Sequence, residues 1–82
     1  MPTIFRFGPY RVVIYPNDHR PEHVHIIGAG VEAVFEVGCP DGEVKLRETY
    51  GANRPEVSRM RAEIERSQQR ICEAWEEIHG QR

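Results

Sequence analysis

The sequence predicts an α+β fold: an antiparallel β-meander of about five short strands followed by one long C-terminal helix. The first half of the chain has short runs of β-branched and aromatic residues separated by glycine, proline and asparagine, which is typical of strands and tight turns. After residue 53 the apolar residues recur three, four or seven positions apart, as on one face of a helix. A chain of 82 residues is the size of one domain, so we expect residues 1–82 to form a single domain.

Strands are expected over roughly residues 3–49, and the candidate segments are 3–7, 10–15, 23–28, 31–37 and 43–49. Ala29-Gly30 is a two-residue link that favours a hairpin turn. That turn predicts a register in which Val24 pairs with Phe35 and His23 pairs with Glu36. One face of the hairpin is then apolar and the other carries the polar groups, so a slip by one residue would bury charge.

The helix is expected over roughly residues 54–79. Asn53 and Glu56 have the spacing of a capping box at its start. Its apolar stripe consists of Val57, Met60, Ile64, Ile71, Trp75 and Ile78.

An unbroken helix of this span would be about 39 Å long, whereas short strands span about 17–20 Å. We therefore expect Ile71, Trp75 and Ile78 to extend beyond the sheet and bind a partner, in a homodimer or in a complex with another small protein. The alternative is that the helix kinks, or that Trp75 folds back over the sheet edge.

Composition and charge limit the function. The net charge is −2 and the pI is about 6.1, which argues against a strongly basic nucleic-acid binder. No apolar run is long enough to span a membrane and no signal peptide is evident. Cys39 and Cys72 lack zinc-ligand spacing, so we expect two reduced thiols in a cytoplasmic protein.

Three of the four histidines lie between residues 19 and 25. His23 and His25 are two positions apart on a strand, so both face the same side. His19 lies in the preceding loop and can bend back toward that side. Asp18 is close in sequence, and Glu36 is expected directly opposite His23. Imidazoles and carboxylates therefore converge on one small patch.

Three chemistries use such a patch. His19, His23 and His25 could bind Zn²⁺, with a carboxylate orienting a ring. The same histidines, with Asp18 and Glu36, could act as catalytic acids and bases on a ribose hydroxyl or a water. Alternatively, Arg20 and protonated imidazoles could bind phosphate. The structural alternative is that these histidines are ordinary surface residues and that the loop only hydrogen-bonds to itself.

Several motifs together resemble domain-of-unknown-function family 4160. They are Met1-Pro2-Thr3-Ile4, Asn17-Asp18-His19, His23-Val24-His25, Glu32-Ala33 and Ala74-Trp75. The sequence departs from the family pattern at Glu22, where members usually carry a second proline. The resemblance implies a small bacterial protein whose gene lies beside a second small gene, in a pair like those of toxin–antitoxin modules. It also implies that Asp18, His19, His23 and His25 form the functional centre.

Three functions follow as hypotheses. The first is a component of a toxin–antitoxin-like module that acts on RNA through His19, His23 and His25, as an RNA-cleaving or other acid–base hydrolase. The second is a non-catalytic module that binds the product of the neighbouring gene. The third is a small metal-binding protein with Zn²⁺ as the candidate ion. The sequence leaves open whether the chain is an enzyme.

Overall fold

The computed structural model describes residues 3–80. Five strands and two helices follow one another along these residues: β1 (Thr3–Phe7), β2 (Tyr10–Val13), β3 (His23–Gly28), β4 (Val31–Val37), β5 (Val44–Tyr50), α1 (Arg54–Arg66) and α2 (Gln68–His79). The predicted α+β class is confirmed. Within the described residues, neither helix is long and apolar enough to cross a membrane.

The strands form one antiparallel sheet in the order β1-β2-β3-β4-β5, which is the predicted meander. The predicted register of the β3–β4 hairpin is confirmed, since Val24 pairs with Phe35 and His23 pairs with Glu36. A turn hydrogen bond from the Asp18 amide to the Tyr15 carbonyl, 3.0 Å long, follows β2. The register places His23 and His25 on the face of β3 opposite Val24.

The hydrophobic core lies between one face of the sheet and the two helices. Its buried members come from four strands, both helices and the residue that follows β2: Tyr10, Val12, Ile14, Val24, Ile26, Ala33, Phe35, Val37, Val44, Met60, Ile64, Ile71 and Trp75. This set alternates along the strands, as a sheet with one apolar face requires. The helix α1 packs against β4 and β5.

The prediction of one long helix is wrong, because the helical segment breaks at Ser67. Asn53 and Glu56 form the expected capping box at the start of α1. Ser67 has a ψ of 16°, and its amide donates to both the Glu63 and Ile64 carbonyls at 3.1 Å. Serine is disfavoured in helix interiors, because its hydroxyl can compete for the hydrogen bonds of the backbone. The break also lets both helices turn an apolar face toward the same core. The alternative of a kinked helix is therefore the one observed.

The break also changes the surroundings of the residues expected to extend beyond the sheet. Ile71 is fully buried and Trp75 is 2% exposed within this one chain. Ile78 is partly buried against the core. Partner binding by Ile71, Trp75 and Ile78 stays a prediction, but the physical argument from an overhanging helix no longer supports it.

The expectation of two reduced thiols is also corrected. Cys39, in the loop between β4 and β5, and Cys72, in α2, form a disulfide. The side chain of Gln68 makes a second connection between the same segments, since its Nε2 donates to the Gly38 and Gly42 carbonyls at 2.6 and 2.9 Å. The two cysteines are 33 residues apart, so only the tertiary packing brings them together.

Candidate metal centre

The candidate site forms where the loop after β2 folds back over the start of β3. The Asp18 side chain is held by its own turn, since the Tyr15 amide donates to Asp18 Oδ2 at 3.0 Å. His23 and His25 project from β3 on the face that this loop covers. The turn therefore places a carboxylate against two imidazole rings.

The three side chains approach through a small set of atoms. Asp18 Oδ1 lies 3.4 Å from His23 Nε2 and 3.4 Å from His25 Nε2. Asp18 Oδ2 lies 3.2 Å from His25 Nε2. One nitrogen or oxygen from each residue lies within 4.8 Å of the other two, so Asp18, His23 and His25 form a cluster that we call the Asp–His cluster.

This cluster is largely shielded from water. The side chains of His23, His25 and Asp18 are 6%, 16% and 13% exposed. The Tyr15 ring meets His25 edge-on, with centroids 4.8 Å apart. The Trp75 ring lies 5.5 Å from the His23 ring. Electrostatic interactions in such a setting are stronger than those in bulk water.

Hydrogen bonding orients the His23 ring. His23 Nδ1 lies 2.8 Å from the Pro21 carbonyl oxygen, and because a carbonyl can only accept, Nδ1–H is the donor. In the neutral ring Nε2 is then an unprotonated acceptor that faces the Asp18 carboxylate. Two acceptors in contact require either a proton or a cation between them.

The His25 ring has fewer hydrogen-bond partners than its two nitrogens require. His25 Nδ1 is buried and has no hydrogen-bond partner among the described residues. The Glu32 carboxylate is the nearby acidic group, 3.9 Å from that nitrogen, which is too long for a hydrogen bond. A buried polar atom without a partner destabilises the folded state, so the free chain leaves this cluster incompletely satisfied.

The charge on Asp18 is favoured despite burial. Burial by itself raises the pKa of this carboxyl, but the hydrogen bond from the Tyr15 amide and the charges of His25 and His23 outweigh it and lower the pKa below its ordinary value. Asp18 is therefore a carboxylate at neutral pH and is available as a ligand or as a counter-ion for the imidazoles.

A small cleft adjoins the cluster on the side of α2. Its volume is about 250 Å³, and it is lined by Asp18, His19, Arg20, Trp75, His79 and Gly80. His79 stacks on Trp75 with centroids 4.0 Å apart, and its Nδ1 lies 3.2 Å from the Trp75 carbonyl. His79 is not among the sequence-predicted site residues. His79 lies four residues after Trp75 and therefore on the same side of the helix, and this spacing is the sequence feature that could have indicated its position.

The remaining predicted residues lie around the cluster rather than in it. His19 lines the cleft. Arg20 also lines it, but its guanidinium forms an ion pair with Glu22. Glu36 is opposite His23 as expected, yet its carboxylate accepts a 3.2 Å hydrogen bond from Arg47 Nε. Only Asp18, His23 and His25 of the predicted set come together.

Comparison with known proteins identifies the family. The model of the family described as "Domain of unknown function (DUF4160)" matches residues 10–76. No curated protein and no solved structure matches the chain. The chain therefore belongs to the DUF4160 family, as its motifs indicate, and the matched segment contains the whole Asp–His cluster.

Proposed function

For this member of the DUF4160 family, we propose that the Asp–His cluster binds one divalent transition metal ion, with Zn²⁺ as the best fit. The ligands would be His23 Nε2, His25 Nε2 and one oxygen of Asp18. Imidazole nitrogen and carboxylate oxygen are both ordinary zinc ligands. This is the third of the functions considered from the sequence, and it has the strongest geometric support.

The spacing of the three ligand atoms carries the proposal. Zinc bonds to nitrogen and oxygen are about 2.0–2.1 Å long, and structural sites are tetrahedral. In a tetrahedron of that size two ligand atoms are about 3.3 Å apart. Asp18 Oδ1 is 3.4 Å from Nε2 of both His23 and His25. These two spacings fit a zinc ion after shifts of about 0.1 Å. The imidazole nitrogens of His23 and His25 lie within 4.8 Å of each other, so they would move closer by up to about 1.5 Å to complete the tetrahedron.

The orientation of the rings supports the same conclusion. The hydrogen bond from His23 Nδ1–H to the Pro21 carbonyl leaves Nε2 free to coordinate, which is the arrangement that outer hydrogen bonds impose on metal-binding histidines. Coordination through His25 Nε2 would leave the proton on Nδ1. That N–H would then donate a hydrogen bond to the Glu32 carboxylate, now 3.9 Å away, after a small movement.

A site with three protein ligands leaves a fourth position for water. Zinc held there would supply a nucleophile near neutral pH by lowering the pKa of a coordinated water. The cleft lined by Asp18, His19 and Arg20 would hold the substrate beside it. A metal-dependent hydrolase is therefore the enzyme class that the proposed ion would favour.

Action on RNA within a toxin–antitoxin-like module stays a prediction drawn from the resemblance. Metal-free cleavage of RNA by His19, His23 and His25 has less geometric support than metal binding. His23 and His25 face Asp18, and the charge of Arg20 is balanced by Glu22. Binding of a neighbouring gene's product is likewise a prediction, for which Ile78 is the partly buried candidate.

Isothermal titration of the metal-free protein with Zn²⁺ tests the proposal. We expect one ion per chain, and we expect Asp18→Asn, His23→Gln and His25→Gln each to weaken binding by at least about 100-fold, because two remaining ligands hold zinc poorly. Glu36→Gln is the matched control, because Glu36 is opposite His23 but pairs with Arg47, and it should bind zinc as the wild type does.

The coordination itself can be read by X-ray absorption at the zinc edge. We expect a first shell of nitrogen and oxygen only, at about 2.0–2.1 Å, with two imidazoles. Sulfur in that shell would point to Cys39 and Cys72 and would contradict the proposal. Equal affinity of wild type and His23→Gln, with circular dichroism showing both folded, would contradict it as well.

A further inference from the structure

The helix α2 packs into the core through Ile71 and Trp75, and it is also connected to the β4–β5 loop by a disulfide and by hydrogen bonds. It follows the break at Ser67, and no side chain caps its start. Near that start, Cys72 is bonded to Cys39 of the β4–β5 loop, and Gln68 donates two hydrogen bonds to the same loop. The disulfide is therefore the one covalent connection between α2 and the loop among the described residues.

The same helix covers the proposed metal site. Trp75 follows Cys72 by three residues, so both side chains lie on neighbouring parts of the helix surface. The Trp75 ring lies 5.5 Å from His23 and stacks on His79. Trp75 and His79 of α2 line the same cleft as Asp18. A movement of α2 would thus change the surroundings of the Asp–His cluster.

The disulfide borders a surface cavity. Cys39 and Cys72 are both of intermediate exposure and line a cavity of about 600 Å³ with Arg20, Gln69 and Glu73. Arg20 also lines the cleft beside the cluster, so the two cavities share this residue.

We propose that the disulfide between Cys39 and Cys72 is a reversible redox latch that holds α2 closed over the Asp–His cluster. The role of the latch in metal exchange rests on the proposed function, whereas its effect on the position of α2 is independent of metal binding.

The latch opens by thiol–disulfide exchange with an external dithiol. A thiolate of the dithiol attacks one of the two sulfurs, forms a mixed disulfide and releases the other cysteine as a thiolate. The second thiol of the reagent then displaces the bound cysteine. In sum, the disulfide gains two electrons and two protons, and the dithiol becomes a disulfide. Reoxidation by a disulfide reagent reverses both steps.

Trp75 reports the position of α2 directly, because it is the single tryptophan of the chain. We expect dithiothreitol to shift its emission to longer wavelength in metal-free protein, and oxidised glutathione to reverse the shift. In zinc-loaded protein we expect reduction to accelerate the removal of zinc by a chelator at least about tenfold. The double variant Cys39→Ser/Cys72→Ser should behave as the reduced protein and should not respond to dithiothreitol.

A second variant separates the latch from a general loosening of the helix. Gln68→Ala removes the hydrogen bonds to Gly38 and Gly42 but keeps the disulfide, so it should still show the dithiothreitol-dependent change. Far-UV circular dichroism checks that every form is folded. A fully unfolded reduced chain would show that the disulfide is a structural staple and would overturn the proposal.

Three other outcomes distinguish the latch from its control of the metal site. Unchanged Trp75 emission and unchanged zinc release after reduction would overturn the latch. Shifted emission with unchanged zinc release would overturn its control of the metal site. A reversible shift in a protein that binds no zinc would support the latch and overturn only the proposed function.

Discussion

Asp18 is the residue on which the candidate site depends. Its carboxylate accepts from the Tyr15 amide and faces both His23 and His25. The first contact orders the loop, and the others gather the ligand atoms. The short distance along the chain between Asp18 and His23 indicates proximity, but the turn at Tyr15 decides which way the carboxylate points.

A second polar pair, between Tyr10 and Glu56, joins β2 to the first turn of α1. Tyr10 Oη donates to Glu56 Oε2 at 2.9 Å. The hydrogen bond to Glu56, together with burial and the carboxylate's charge, raises the pKa of Tyr10 above 10.0. The Asn53 amide and the Tyr10 hydroxyl lower the pKa of Glu56 below 4.5.

These shifts predict how stability depends on pH. The contribution of Tyr10 is complete below pH 10.0 and is lost as pH rises through its raised pKa. The contribution of Glu56 is complete above pH 4.5 and is lost as pH falls through its lowered pKa. Tyr10→Phe should lower the free energy of unfolding at neutral pH and flatten its alkaline decline. Glu56→Gln should flatten the acid decline.

Urea unfolding at a series of pH values provides the measurement. Tyr50→Phe is the control for Tyr10→Phe, because Tyr50 is 65% exposed and its hydroxyl makes no described hydrogen bond to the core. It should change the free energy of unfolding at neutral pH by less than about 0.5 kcal/mol. Identical pH profiles for Tyr10→Phe and wild type would show that the Tyr10–Glu56 contact does not stabilise the fold.

At the scale of single elements, the end of β3 depends on close contact with the β1–β2 turn. Gly28 has φ of +152°, and a Cβ there would lie 2.2 Å from the Pro9 carbonyl oxygen and 3.0 Å from Tyr10 Cα. Both contacts are with backbone atoms, which cannot rotate away. Glycine is therefore required where β2 and β3 meet this turn.

Substitution of two glycines tests this requirement. Gly28→Ala should lower the free energy of unfolding by about 3 kcal/mol, because overpacking adds to backbone strain. Gly8→Ala is the matched control, since Gly8 also has positive φ, +55°, but open space around the missing Cβ. It should cost about 1 kcal/mol. Chemical denaturation of both variants gives the comparison, and equal losses would contradict the steric argument.

The two helices show how an element can be predicted in part. The capping box at Asn53 and the apolar positions of the stripe follow from the sequence, and the structure confirms the box. The break at Ser67 does not follow from it, since one serine within a helical pattern is common. The break is favoured because it lets Ile64 and Ile71 both reach zero exposure in the same core.

For the whole molecule, the disulfide is a long-range constraint on a small core. It closes a loop with a sequence separation of 33. In the chain-entropy model such a cross-link stabilises the folded state by about 3–4 kcal/mol. A domain of this size is only marginally stable in general, so this term is a large part of the total.

Reduction should therefore lower the free energy of unfolding by about 3 kcal/mol while the chain remains folded. Urea denaturation with and without dithiothreitol measures the difference. The variant Cys39→Ser/Cys72→Ser should match the reduced wild type and be indifferent to the reagent. A loss below about 1 kcal/mol would show that residual structure already restricts the loop in the reduced, unfolded chain, and it would contradict the chain-entropy account.

The sequence by itself determined the features that depend on near neighbours. Strand alternation and the Ala29-Gly30 turn determined the register that places His23 and His25 on one face, and the Asn53 to Glu56 spacing determined the capping box. Only the tertiary structure decided the break at Ser67 and the pairing of Cys39 with Cys72. It also decided the ion pairs that keep Glu36 and Arg20 out of the Asp–His cluster, and the position of Trp75 beside His23. These depend on loop paths and on competition between partners distant in sequence, and residue periodicity carries no information about either.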